Sequence, residues 1–194
     1  MKSLVLAAGL ALAGTAAFAE AEKYVLDASH SQIVFSYEHL GFSTTYGMFS
    51  GFEGEISFDE ADPAASAVTV SMPVKSMFTG WEQRDGHFMS ADFFGAEDGD
   101  LVTFTSTGIE VTGATTALIT GDLSMNGVTK PVTLDAKLNK ADTHPMAGKP
   151  WLGFDATTTL LRSDFGVGAF APVVSDEVQV MISIEAAKAD ESAS

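Results

Sequence analysis

Two arginine–aspartate pairs and four histidines supply the side chains of this sequence best suited to chemistry. Arg84 stands directly before Asp85, and Arg162 stands two residues before Asp164. A guanidinium among aromatic residues is either a surface group resting on a ring or a partly buried charge held by a carboxylate. Burying such a charge costs several kcal/mol unless it is paired, so a neighbouring Asp is what the site requires. The pair would then either pin a local element over one end of the protein or contact a ligand, and both readings stay open.

The histidines, His30, His39, His87 and His144, match no zinc spacing, and no metal site is expected from them. Nucleophilic catalysis needs a hydroxyl within hydrogen-bond reach of a base. Asp27, Ser29, His30 and Ser31 carry the right atoms, but neighbours along an extended strand face opposite ways. No catalytic residue is expected, and the chain reads as a non-enzyme. His39, just ahead of Leu40-Gly41-Phe42, suits a hydrogen bond at the mouth of an apolar cavity. A few polar groups in an aromatic lining is the usual make-up of a small-molecule pocket.

Two nucleotide-type motifs lack their context. The run from Gly166 to Ala171 fits a relaxed dinucleotide fingerprint, but no parallel βαβ unit surrounds it. Asp164-Phe165-Gly166 echoes a kinase motif without its catalytic or glycine-rich loops.

These residues must be positioned almost entirely by strands. Alternation of apolar and polar side chains runs through 52–58, 68–74, 132–138, 152–158 and 178–184. Segments 24–27, 32–39, 101–111 and 117–125 raise the expectation to about eight or nine antiparallel strands, each with one apolar face. Asn126-Gly127 is a strong hairpin signal, and 139–150 reads as a looser loop. Faces of this kind without covering helices need a sandwich or a closed barrel, and a barrel of about eight strands is either filled or holds one small ligand. The exception is 79–94, where Thr79-Gly80-Trp81-Glu82 fits a capping box with Thr79 as N-cap. The short helix that follows would place Trp81, Arg84, Asp85 and Phe88 on one face, with Phe93 and Phe94 beyond it.

At the start, Lys2, an apolar run over 4–13 and Ala17-Phe18-Ala19 predict an export signal at 1–19, cleaved after Ala19. The domain is expected over 20–188, with 189–194 as a disordered tail, although the fraying is expected from Ala186 onward. There is no cysteine, so stability must come from packing. Without Lys2, nine Lys and Arg face 26 Asp and Glu, for a formal charge of −17. Such a surface repels phosphate backbones, which excludes nucleic acid as a partner and opposes permanent docking on an anionic bilayer. Fourteen Phe against three Tyr and two Trp favour rings without a polar handle, which suits an apolar lining or a solid Phe-rich core equally.

The order of several motifs carries a resemblance. Asp27, Ser29, His30 and Ser31, followed by Phe35, His39, Gly47, Phe49 and Gly54, resemble the opening signature of the YceI-like family. Arg84-Asp85-x-His87-Phe88 with Asp92-Phe93-Phe94 resembles its central motif. Gly121-x-Leu123, the run from Gly127 to Val132 and Arg162-x-Asp164-Phe165-Gly166 resemble its later blocks, so the match extends along the whole chain after the leader. The resemblance implies a lipocalin-like all-β barrel in the bacterial periplasm that binds polyisoprenoid or similar long-chain amphiphiles, with no cofactor beyond that ligand. It makes His30, His39, Arg84, Asp85, His87 and Arg162 candidates for the barrel end and the ligand head group. Phe35, Phe49, Phe88, Phe93 and Phe94 become candidates for the apolar channel. It also implies, for some members, a membrane cytochrome of the b type as partner, which makes a quinone tail a natural ligand. Monomer and homodimer both remain open. Two rival readings stand beside the carrier: a stress-related interaction protein with a filled core, and a lipid-modifying enzyme.

Overall fold

The computed structural model describes residues 21–190. The expected export signal and all but the first two residues of the 189–194 tail lie outside the described residues. Ten strands are arranged as β1 (Glu22–Leu26), β2 (Gln32–His39), β3 (Ser43–Phe49), β4 (Glu53–Phe58), β5 (Ala67–Pro73), β6 (Leu101–Val111), β7 (Thr116–Met125), β8 (Val128–Thr143), β9 (Pro150–Leu161) and β10 (Glu177–Lys188). One α-helix, α1 (Glu82–Met89), lies between β5 and β6.

All pairings are antiparallel, and the sheet closes when β1 meets β10. Eight strands make the closed ring, in the order β1, β4, β5, β6, β7, β8, β9, β10. The β2–β3 hairpin shares the free edge of β10 with β1. Residues Gln179 to Ser183 of β10 pair with β2, whereas Ala186 to Lys188 pair with β1. The outer edge of β3 meets the chain after β5, where Met48 and Phe78 exchange backbone hydrogen bonds of 2.9 Å. The fold is therefore the expected all-β antiparallel barrel of about eight strands with a short helical insertion.

Alternation sets which side chains face inward. Val68, Val70 and Met72 on β5, Val132, Leu134, Ala136 and Leu138 on β8, and Val178, Val180, Ile182 and Ile184 on β10 all face the interior. Close approach of neighbouring strands needs glycine at two points. A Cβ on Gly47 would stand 2.3 Å from the ring of Phe35, and one on Gly121 would stand 2.4 Å from Phe104 and 2.5 Å from the Thr105 carbonyl. The Asn126-Gly127 hairpin forms as expected, with Met125 opposite Val128 and both turn residues at positive φ.

Three local expectations are corrected. Residues 139–143 continue β8 and Pro150 opens β9, so the loop shrinks to 144–149. Beyond a register shift near Leu138, both faces of β8 are exposed, which removes the alternation that reveals a strand. Ala186 is not frayed: it is fully buried opposite Leu26, and β10 runs on to Lys188. Thr79 does not cap α1. The N-cap is Trp81, because Gly80 (φ 81°) turns the chain first and Thr79 is engaged with Asp85 instead.

Candidate ligand-binding site

The barrel is not filled. A cavity of about 1050 Å³ runs from α1 at one end to the β6–β7 hairpin at the other, where Gly113 and Thr115 line it. Its wall is made chiefly of inward-facing aliphatic side chains and phenyl rings. Nine of the eleven residues proposed from sequence line it: Phe35, His39, Phe49, Arg84, His87, Phe88, Phe93, Phe94 and Arg162. His30 and Asp85 do not.

Phe35 and Phe49 face each other across β2 and β3 with ring centroids 5.7 Å apart, and both are buried. Phe88 on α1 meets Tyr37 edge-on at 6.1 Å and Phe93 at 5.0 Å, which packs the helix into the barrel end. Phe94 packs against the same buried cluster. Tyr37, Phe52 and Phe104 also line the cavity. They sit within or next to apolar strand runs, which mark burial without distinguishing a wall from a solid core.

The polar candidates hold the fold in specific ways. Arg84 and Asp85 meet through Thr79 and form no ion pair with each other among the described residues. Thr79 donates to Asp85 Oδ1 from its amide at 2.9 Å and its hydroxyl at 2.5 Å, while Arg84 donates to the Thr79 hydroxyl and carbonyl at 2.8 and 2.7 Å. Arg84 also lies 5.9 Å from the centre of the Trp81 ring. The arrangement pins the start of α1 and leaves one side of the guanidinium on the cavity wall. His87 lies 3.2 Å from Asp92 and edge-on to Phe93 at 5.1 Å.

Arg162 serves as a clamp. It donates to the carbonyls of Ser175, Val167, Ala169 and Val174 at 2.8–3.1 Å, fastening the whole 166–175 loop. Burial holds the guanidinium below the ordinary arginine value, and the nearby Asp176 works against that shift. Asp164 pairs with Lys130 across to β8, and Phe165 is almost fully buried under a left-handed Gly166. The glycine run that resembled a dinucleotide motif is this clamped loop, with no helix after it.

The Asp27–Ser31 segment forms a corner away from the cavity, where the partner of β10 changes from β1 to β2. Asp27 N donates to Glu185 O at 2.9 Å, and Glu185 N donates to the buried Ser31 hydroxyl at 3.3 Å. The segment is a turn and not an extended strand, so Asp27, Ser29 and His30 do meet. They meet at one atom: His30 Nδ1 lies 2.7 Å from Asp27 Oδ2 and 3.1 Å from Ser29 Oγ. A catalytic triad needs the carboxylate and the hydroxyl on opposite ring nitrogens, so this geometry relays no proton. Hydrogen bonds from His30 and Ser29 lower the Asp27 carboxyl, and Asp27 in turn raises His30. Ligand atoms of Asp27, His30 and Glu185 come within 4.8 Å of one another, a grouping that sequence spacing does not reveal. Both carboxylates are already engaged, Glu185 by the Trp151 indole at 2.7 Å.

Comparison with known proteins agrees with this architecture. The model of the YceI-like domain matches residues 24–186. A UPF0312 protein of Ectopseudomonas mendocina is 41% identical over 179 residues, covering 91% of this chain and 92% of that protein. Among solved structures, the Campylobacter jejuni YCEI protein is similar with a TM-score of 0.71 and 29% identity, covering 79% of this chain and 90% of that one. A polyisoprenoid binding domain from Saccharophagus degradans, implicated in plant cell wall breakdown, shares the fold with a TM-score of 0.64 at 16% identity, covering 86% of this chain and 98% of that one. A signature that runs from the Asp27 corner to the Arg162 clamp, on a closed barrel of this topology, places the chain in the YceI-like family.

Proposed function

We propose that this chain is a periplasmic carrier or storage protein that holds a long isoprenoid chain, of the quinone or polyprenyl type, inside its barrel. The observation that carries the reading is the continuous apolar cavity of about 1050 Å³. Pockets for drug-sized ligands span roughly 300–1,000 Å³, so this space, which reaches from α1 to the β6–β7 hairpin, has room for a long molecule. That a polyisoprenoid binding domain is built on the same fold supports the choice of ligand class.

The energetics favour a loose fit. Burying about 40 carbons at roughly 0.8 kcal/mol per methylene exceeds what any non-covalent affinity requires. Selectivity for the head group is then weak, because a few polar side chains, among them His39, Gln83, Arg84 and His87, stand among many apolar residues at the α1 end. Binding rather than catalysis is supported by the single-nitrogen contact at His30 and by the absence of a hydrogen bond joining any two of His30, His39 and His87 among the described residues. The apolar run over 4–13 ahead of Ala17-Phe18-Ala19 supports export, and no cofactor beyond the bound lipid is required. A membrane cytochrome of the b type would be a fitting donor or acceptor for a quinone. The container is complete within one chain, so the reading holds for a monomer and a homodimer alike.

Mild extraction of the protein purified from its host, followed by mass spectrometry, tests the proposal. An isoprenoid recovered in near-stoichiometric amount is the expected result. Repeated extraction that yields no apolar molecule would sink it.

A further inference from the structure

The loops around the α1 end expose more apolar surface than a closed container needs. Phe42 is 90% exposed, Val173 62%, Phe170 and Trp81 56% each, and Leu40 48%. They join one another and the cavity. Leu40 N donates to Val173 O at 3.1 Å, and the Phe170 ring lies 6.1 Å from the rings of both His87 and Phe93. Leu40, Trp81, Phe170 and Val173 belong at once to this rim and to the cavity wall.

The backbone holds two of these side chains against local preference. Leu40 (φ 56°) and Gly41 (φ 73°) are the central residues of the β2–β3 turn, which Phe42 N closes onto His39 O at 3.0 Å. Both central residues of this turn have positive φ, a conformation that Asn and Gly adopt at least cost. The same chain uses that pair at its β7–β8 hairpin, where Asn126 and Gly127 have φ of 52° and 72°. Leu40 occupies the asparagine position instead, and Phe170 (φ 64°) is a second bulky apolar residue in the left-handed region. Both are about half exposed, so core packing does not account for them. Residues 40–43 and 168–174 contain no ionisable side chain, in a sequence of net charge −16.

The continuity of rim and wall selects the occupant. An apolar cargo leaves such a cavity without crossing water only where the rim itself meets hydrocarbon. Trp and Phe side chains suit the boundary between headgroups and acyl chains. The absence of Lys and Arg from both loops, on an acidic protein, disfavours anionic headgroups. We propose that this rim docks on an electroneutral lipid bilayer, with Leu40, Phe42 and Phe170 entering the headgroup boundary so that the cavity opens into it. This rests on the reading of the cavity as an isoprenoid container.

The test uses the chain 20–194, which carries the complete barrel, and phosphatidylcholine vesicles free of isoprenoid. The protein co-sediments with the vesicles, and the emission of Trp81, assigned with a Trp81→Phe variant, shifts to the blue. Phe42 does not line the cavity, so Phe42→Asp weakens vesicle binding about tenfold or more while isoprenoid uptake in solution stays unchanged. Phosphatidylglycerol added to the vesicles weakens binding further. No co-sedimentation with neutral vesicles, or equal binding by Phe42→Asp, overturns the docking. A dimer that Phe42→Asp dissolves, without vesicle binding, overturns it in favour of a second copy on the rim. Vesicle binding without isoprenoid uptake defeats the container reading alone, and uptake without vesicle binding defeats the docking alone.

Discussion

Asp27 and His30 show how a residue that resembles catalytic machinery can be a structural corner. Its partners make the difference: Ser29 and Asp27 share one ring nitrogen, while Glu185 and Ser31 tie the turn to β10 across most of the chain's length. The residue types were legible in the sequence, but the role was not, because it depends on a strand that arrives more than 150 residues later. Asp27 holds His30 above the ordinary imidazole value, so that contribution is present below about pH 6.5 and lost as pH rises through the folded-state value. The lowered Asp27 carboxyl contributes above its own unfolded value and is lost as pH falls through the folded one. The corner is therefore held best between these two limits. An NMR titration should place the His30 midpoint above 6.5, and Asp27→Asn should return it toward that value. Arg162 is the stronger case. Removing it strands four carbonyls and frees the 166–175 loop, so Arg162→Ala should cost about 2–4 kcal/mol in denaturant unfolding. A lysine has three donors on one nitrogen and cannot reproduce the fork, so Arg162→Lys should recover little of that loss.

Strands were legible where one face is buried and the other wet, which is why β4, β5, β8 and β10 stand out from their alternation. The strand that escaped, β3, has Thr44, Thr45 and Tyr46 facing outward or half-buried, and a glycine where a packed side chain would have marked the pattern. Gly47 is there because Phe35 lies over it, a contact only the folded hairpin creates. The capping box at Thr79 failed for a similar reason. Asp85 competed for the threonine hydroxyl, and a hydrogen bond six residues along is invisible to a rule based on the first helical turn. Gly121 offers a test at this scale: its Cβ would collide with a backbone carbonyl, which cannot rotate away as a ring can. Gly121→Ala should destabilise the barrel by about 1–3 kcal/mol, read from the shift in urea midpoint at constant slope. Leu40→Asn should act in the opposite sense, stabilising the fold by about 1 kcal/mol while weakening attachment to neutral vesicles. Equal or lower stability would show that Leu40 contributes packing that offsets its backbone.

For the whole molecule, closure of the barrel is what turns amphipathic strands into a container. Composition left a solid interior and a lined cavity equally open, because Phe-rich content serves both and volume is a property of the assembled ring; only the resemblance and the aromatic segment at 79–94 favoured the cavity. The structure divides the space. A packed cluster around Phe35, Phe52 and Val102, joined by Phe88, Phe94 and Val180, supports the α1 end, and Val132 and Leu134 of β8 face open volume. Filling that volume should remove function without removing the fold. Leu134→Trp, on the inner face of β8, should retain cooperative unfolding and lose isoprenoid uptake. The most direct measurement is equilibrium binding of a series of quinones that share one head group and differ in tail length. Affinity should rise with each isoprene unit until the cavity is full and then level off, with Leu134→Trp bringing the plateau to shorter tails. An affinity that follows the head group and ignores tail length would contradict the account.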